Sequence, residues 1–211
     1  MKSGNRFRRH ALVVSATAAT LVLSAPQALA AGSHSVANST GSPRATGQAF
    51  GRLGSLADLV IQRLLVGDQV AAAKFGTDSP IEDPAREQQV LDAVRDQASE
   101  YDLNPDEAAE FFRDQITASK VVQRGLFARW TAHPDQVPGS RPDLSEIRAR
   151  LDLLTKQLLQ ELKATQHLRN APVGCRVQLL LATGSGAFVE GLDTLHRQAF
   201  KDATPSVCAV S

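Results

Sequence analysis

The chain has 211 residues with 43% hydrophobic and 21% charged positions, which fits one globular domain, or one domain with a dispensable end, and excludes a disordered polyelectrolyte. Lys+Arg number 23 against 22 Asp+Glu, a balance that weighs against nucleic-acid binding. One Trp and one Tyr argue against stacking platforms for bases or sugars, and two cysteines are too few for a disulfide scaffold or a four-thiolate zinc site.

The near-neutral charge conceals an asymmetry. Residues 1–30 carry Lys2, Arg6, Arg8 and Arg9 and no acid; taking these four from 23 leaves 19 basic residues against 22 acidic, a net charge of −3. A basic head, an apolar run from Ala11 to Leu23 and the small-x-small sequence Ala28-Leu29-Ala30 read as a secretory signal cleaved near Ala30. The apolar run is too short for a membrane anchor, and no later segment has the length and apolarity of one. The expected destination is therefore outside the cell or the periplasm. Residues 31–54, rich in Gly, Ser, Thr and Ala without periodicity, read as a flexible polar linker. Export also favours a bridge between Cys175 and Cys208. His34, His133, His167 and His196 are scattered without metal-ligand spacing, so no metal is expected.

The remainder, 55–211, is helical in pattern apart from an interruption at Pro80 and a loop over 134–143 with three prolines, and the expected fold is all-α, a bundle of about six helices. The first runs from Ser55 to Phe75, with Ser55 and Asp58 in capping-box positions. The second starts at the Asp83 cap with Pro84 at its first position, running to about Glu100. Asn104-Pro105 opens the third, which continues to about Thr131, and Asp143 caps a fourth through about Arg169. Breaks at Pro172-Val173-Gly174 and Gly184-Ser185-Gly186 separate two shorter helices. The Gly184 to Gly186 turn matches neither a dinucleotide fingerprint nor a P-loop, and no Ser/His/acid grouping of a nucleophilic enzyme is visible.

Charges on otherwise apolar stripes carry the functional information. Leu56, Val60, Arg63, Gly67, Val70 and Lys74 share one face of the first helix, because the steps are three or four residues. Arg63 and Lys74, three turns apart, are about 16 Å from each other along the axis. Arg148 lies on the Leu144–Leu162 stripe of the fourth helix, and Arg86 shares a stripe with Val90 and Val94. On the third helix Ser119 and Gln123 interrupt the run Phe112, Ile116, Leu126, Trp130. A single arginine on such a stripe normally snorkels or pairs with a carboxylate. Four cations turned inward, with Asp83 and Glu87 as the nearby acids, call instead for a small ligand with more than one negative group.

These segments, Arg63 to Lys74, Pro80 to Gln89, Phe112 to Gln123 and Pro142 to Arg148, resemble the all-helical chorismate mutases, in particular an exported subclass with a C-terminal disulfide. The resemblance implies an isomerase of the shikimate pathway, in aromatic amino acid biosynthesis, that converts chorismate to prephenate by a cofactor-free Claisen rearrangement. By the same resemblance Arg63 and Arg148 hold carboxylates, and Lys74 and Gln123 donate to the ether oxygen. Asp83 and Glu87 handle the hydroxyl, and Arg86 and Ser119 make further carboxylate-side contacts. It also implies a homodimer with each site inside one chain. Gln123 and Ser119 depart from the Glu and Thr of many exported members. The competing readings are an isochorismate pyruvate lyase on the same fold and a catalytically silent secreted helical interaction module.

Overall fold

The computed structural model describes residues 48–208, so the signal segment 1–30 and most of the linker 31–54 lie outside the described residues. Among the described residues seven α-helices follow one another: α1 (Gly54–Lys74), α2 (Pro84–Glu100), α3 (Pro105–Ala132), α4 (Leu144–Ala164), α5 (Gln166–Arg169), α6 (Pro172–Val189) and α7 (Thr194–Asp202). No strand occurs among the described residues, and the fold is all-α as expected.

The helix starts follow local chemistry. The Asp83 carboxylate accepts the Arg86 amide at 3.0 Å, and the Asn104 side chain accepts those of Asp106 and Glu107 at 2.9 and 3.2 Å. Asp143 accepts the amides of Ser145 and Glu146, so α2, α3 and α4 each begin on the anticipated cap. The start of α1 is different. No side chain caps it, and Asp58 accepts the Ala49 amide at 3.0 Å rather than closing a box with Ser55. The preceding chain folds back over the helix, and Ala49 and Leu53 enter the core at 7% and 0% exposure. The end of the expected linker is thus packed structure from residue 49 onward. Burying those two apolar residues is what holds it there.

The C-terminal half also differs from expectation. Thr165 interrupts the fourth helix, leaving α5 as a single turn. The sequence Gly184-Ser185-Gly186 lies inside α6 rather than breaking it, and the break falls between Val189 and Thr194 instead; the helix beyond the expected six is the single turn α5. A Cβ on Gly186 would stand 3.0 Å from Ile61 Cδ1 and 3.3 Å from Ala49 Cβ, so the glycine serves close packing of α6 on α1, not a turn. Gly125 does the same for α7 on α3, where a Cβ would meet Leu195 Cδ1 at 2.5 Å.

Helix α1 is the central element, packed against α3, α4 and α6. Being covered on several sides, it is apolar around most of its circumference, with Leu56, Val60, Ile61 and Leu64 at 3% exposure or less. Phe111, Phe112 and Val122 of α3 and Leu158, Leu159 and Leu162 of α4 complete the main core. Beyond α1, Phe75 packs edge-on against Phe127 and Trp130 at 5.2 and 5.3 Å, which anchors the loop leading to α2. The Cys175–Cys208 disulfide ties α6 to the end of the described chain across 33 residues. Closing a loop of that length contributes about 3–4 kcal/mol in the chain-entropy treatment.

A polar clasp joins α1 to α7. His196 contacts Asp68 through Nε2 at 2.9 Å and Asp193 through Nδ1 at 2.7 Å, and Asp193 also accepts from Arg129 at 3.1 Å. The hydrogen bond to Asp68, assisted by Asp193 and opposed by burial, lifts the His196 pKa to about 8. A histidine raised in the folded state stabilises fully below its unfolded pKa of about 6.5, and that contribution is lost as pH rises through 8. Because both carboxylates are about two-fifths exposed, solvent screening reduces the contribution to roughly 1 kcal/mol. Thermal denaturation should therefore show the melting temperature falling by about 2–4 °C between pH 6 and 9, and His196→Gln should flatten that part of the curve. An unchanged slope in the variant would mean the clasp does not titrate in this range.

Candidate active site

Helices α1, α2, α3 and α4, with the loop Ser79–Ile81, enclose a cleft of about 280 Å³. All eight residues singled out from the sequence, Arg63, Lys74, Asp83, Arg86, Glu87, Ser119, Gln123 and Arg148, line it. The register of α1 explains its share: Arg63, Val70 and Lys74 occupy one stripe, and Gly67 within that stripe lets α3 approach. A Cβ on Gly67 would already touch Ser119 Oγ and Val122 Cγ1 at 3.5 Å.

Arg63 is the deepest cation, 6% exposed, its guanidinium 5.7 Å from the centroid of the Phe112 ring. Among the described residues no carboxylate oxygen comes within 4.0 Å of it, and its Nε has no hydrogen-bond partner. The face of an aromatic ring compensates a buried charge only in small part. Burial therefore pulls the Arg63 pKa down to about 10, against a weaker opposing pull from Asp152. Gln123, 4% exposed, donates through Nε2 to the Ser119 carbonyl and hydroxyl, both at 3.2 Å, while its Oε1 has no partner. Among the described residues three buried side-chain polar atoms lack partners, and two of them belong to this cleft. Buried polar groups in a folded protein are normally satisfied. Arg63 Nε is thus a donor left open and Gln123 Oε1 an acceptor left open at the same cleft.

Lys74 is half-buried at the end of α1, where Nζ donates to the Pro80 carbonyl at 2.8 Å. Burial lowers its pKa, helped by the Arg148 charge and opposed by Asp83, Glu87 and Glu82. The ammonium retains two further donors for the cleft. Arg86 and Arg148 are placed differently from the expectation of four inward cations. Both are exposed, because the first turns of α2 and α4 form the rim rather than the floor. At the rim a guanidinium stays hydrated and carries little desolvation cost, so only Arg63 is fully buried.

Sequence reasoning missed Lys120. It lines the cleft and bridges Glu87 at 2.9 Å and Glu82 at 3.0 Å; Glu82 in turn pairs with Arg124. Burial lowers the Lys120 pKa, but the two carboxylates outweigh it and the net shift is upward. The pairing fixes Glu87 and ties the loop before α2 to α3. Asp152 and Thr155 of α4 were also missed as site residues. Arg148 and Asp152 are four apart on one helix face, which was a usable signal. Five cations and three carboxylates line the cleft, an excess of two positive charges.

Comparison with known proteins places this geometry. Residues 55–124 match the family described as chorismate mutase type II. The secreted chorismate mutase of Mycolicibacterium smegmatis is 38% identical over 168 residues, covering 80% of this chain and 92% of that protein. The secreted chorismate mutase of Mycobacterium tuberculosis is 33% identical over 168 residues, 80% of this chain and 84% of its own. Among solved structures, chorismate mutase from Burkholderia phymatum superposes with a TM-score of 0.72 at 34% identity, covering 75% of this chain and 97% of that one. An all-helical fold, a cationic cleft between four helices and this degree of identity lead to one conclusion: the chain belongs to the chorismate mutase family.

Proposed function

We propose that the protein is a secreted isomerase that converts chorismate to prephenate, using the fixed charges and amides of this cleft and no bound cofactor. The observation that carries the proposal is the buried, unpaired Arg63 in a cleft with two excess positive charges. Chorismate is a dicarboxylate, so its charge complements that excess. The N-terminal segment 1–30 acts as the export signal, cleaved near Ala30, in keeping with the secreted relatives.

In this reading Arg63 from the floor and Arg148 from the rim each hold a carboxylate, with Arg86 and Ser119 adding contacts on the carboxylate side. Two anchors at opposite ends hold the substrate in its folded diaxial conformer, which removes rotational freedom before the chemical step. The rearrangement breaks the ether C–O bond as the new C–C bond forms, and negative charge grows on the ether oxygen. Lys74 Nζ donates there, and Gln123 Nε2 joins it by turning from the Ser119 carbonyl and hydroxyl, so that both meet developing charge in a water-poor site. Asp83 and Glu87 receive the substrate hydroxyl, and Lys120 holds Glu87 in place.

The test is incubation of purified protein spanning residues 31–211 with chorismate, followed by absorbance and by identification of the product. Loss of chorismate with stoichiometric prephenate is expected. Salicylate and pyruvate from isochorismate, with no prephenate from chorismate, would establish the lyase instead. Inertness toward both substrates would leave the fold as an interaction module.

A further inference from the structure

The loop between α1 and α2 borders the cleft, which Ser79, Pro80 and Ile81 help to line. Gly76, at φ 69°, turns the chain out of α1. From Gly76 to Pro80 every residue is exposed, and Ile81 is only half-buried. Apolar burial therefore does little to fix this stretch. Polar ties do more. Lys74 Nζ donates to the Pro80 carbonyl at 2.8 Å. Two residues further on, the Glu82 carboxylate receives Lys120 at 3.0 Å and also Arg124, both from α3. Lys120 is 17% exposed and holds Glu87 at 2.9 Å as well, so these groups form a network, which fixes geometry better than an isolated surface pair. Hydrogen bonds from Lys120 and Arg124 lower the Glu82 pKa, which keeps its carboxylate ionised at neutral pH.

We propose that Glu82 is a positioning residue for the rearrangement: gripped by Lys120 and Arg124, it fixes the Pro80 carbonyl and so aims the Lys74 ammonium at the substrate's ether oxygen. This role rests on the mutase reading of the cleft, in which Lys74 serves that oxygen. A lysine ammonium on a long flexible stem points where its partners hold it. The Pro80 carbonyl takes one of its three donors, so the place of that carbonyl decides where the other two point. Glu82 is the nearest residue along the loop that is tied to another helix. Its two partners lie one turn apart on α3, either side of Gln123 in the chain. The latch thereby joins the loop that orients Lys74 to the helix that carries Gln123, and sets the two proposed ether-oxygen donors in one frame. Glu82 and Arg124 are not among the residues lining the cleft, so any effect they have on the reaction passes through the loop or through charge alone.

Steady-state kinetics of Glu82→Ala and Arg124→Ala separates those two routes, because the residues carry opposite charge. Charge alone would move KM for a dianion down in Glu82→Ala and up in Arg124→Ala, with kcat unchanged. Lost positioning lowers kcat in both. The expected falls are about tenfold in Glu82→Ala and about threefold in Arg124→Ala, below the ~10² that a misplacement of 1 Å can cost. Helical circular dichroism should be unchanged, since both side chains are exposed. Glu82→Gln, which keeps an acceptor for the two cations, should recover part of the rate. Backbone 15N relaxation gives a readout that needs no substrate: order parameters at Ser79 and Ile81 should be about 0.85 in the natural protein and below about 0.6 in Glu82→Ala. A Glu82→Ala kcat within about twofold of the natural value would overturn the role, whatever happened to KM. So would a loop equally ordered in both proteins. A natural protein inert toward chorismate would strike the mutase reading instead, and the relaxation comparison would then judge the latch by itself.

Discussion

Lys74→Ala is expected to lower kcat by about 10²–10³, the usual cost of removing a fixed donor from a developing oxyanion. The ammonium sits at the end of α1, half-buried, with one of its donors on the Pro80 carbonyl. In the proposed mechanism only the remaining donors serve the reaction, and their value lies in the transition state, so KM should change much less than kcat. The fold should tolerate the loss, since burial already disfavours the Lys74 charge. The same shift predicts that the natural enzyme declines on the alkaline side below the ordinary lysine range, as the ammonium deprotonates. Steady-state kinetics with a melting curve for each protein checks both statements. A variant within about threefold of the natural kcat would remove Lys74 from the chemistry.

Arg63→Met is expected to separate stability from activity more sharply still. The guanidinium is 6% exposed, has no carboxylate partner among the described residues, and keeps Nε unsatisfied. Replacing a buried, poorly compensated charge with an apolar side chain of similar length is neutral or stabilising, here by about 1–3 kcal/mol. That corresponds to a rise in melting temperature of roughly 3–9 °C for a domain of this size. Turnover should fall by at least about 10², because the proposed mechanism loses its floor anchor for one carboxylate and no longer holds the substrate in its reactive conformer. A stability gained by losing function is the expected cost structure of a preformed binding site. A variant that melts lower and keeps its activity would show Arg63 to be a structural residue.

The helical periodicity made the fold class and the placement of Arg63 and Lys74 legible, since an 11-residue spacing puts two side chains on one stripe whatever surrounds them. Caps at Asp83, Asn104 and Asp143 were equally legible, because their partners are two or three residues away. Features decided by distant parts of the chain were not. Asp58 was drawn from its local box to the Ala49 amide, and Gly186 reads as a breaker until Ile61 is seen against it. Lys120 lies one residue off the Ser119–Gln123 stripe, and only the approach of α2 to α3 brings Glu82 and Glu87 to it. The stripes also say which face a cation occupies and not its depth. Arg86 and Arg148 therefore read as inward residues although they stand exposed at the rim.

The central claim is that fixed donors, one of them the neutral amide of Gln123, stabilise charge developing on the ether oxygen. Gln123 lines the cleft with its Nε2 on Ser119 and its Oε1 without a partner. An amide does not titrate, so the natural protein should show a nearly flat kcat/KM from about pH 5 to 8. A glutamate at the same place donates only when protonated and repels the developing charge when ionised. Burial would raise its pKa and the Lys74 ammonium would lower it, but the sign of the effect is the same in either case. The decisive measurement is a pair of pH–rate profiles, for the natural protein and for Gln123→Glu. The account predicts a variant that is impaired at neutral pH and recovers as pH falls through the new carboxyl's pKa; two profiles of the same shape would contradict it.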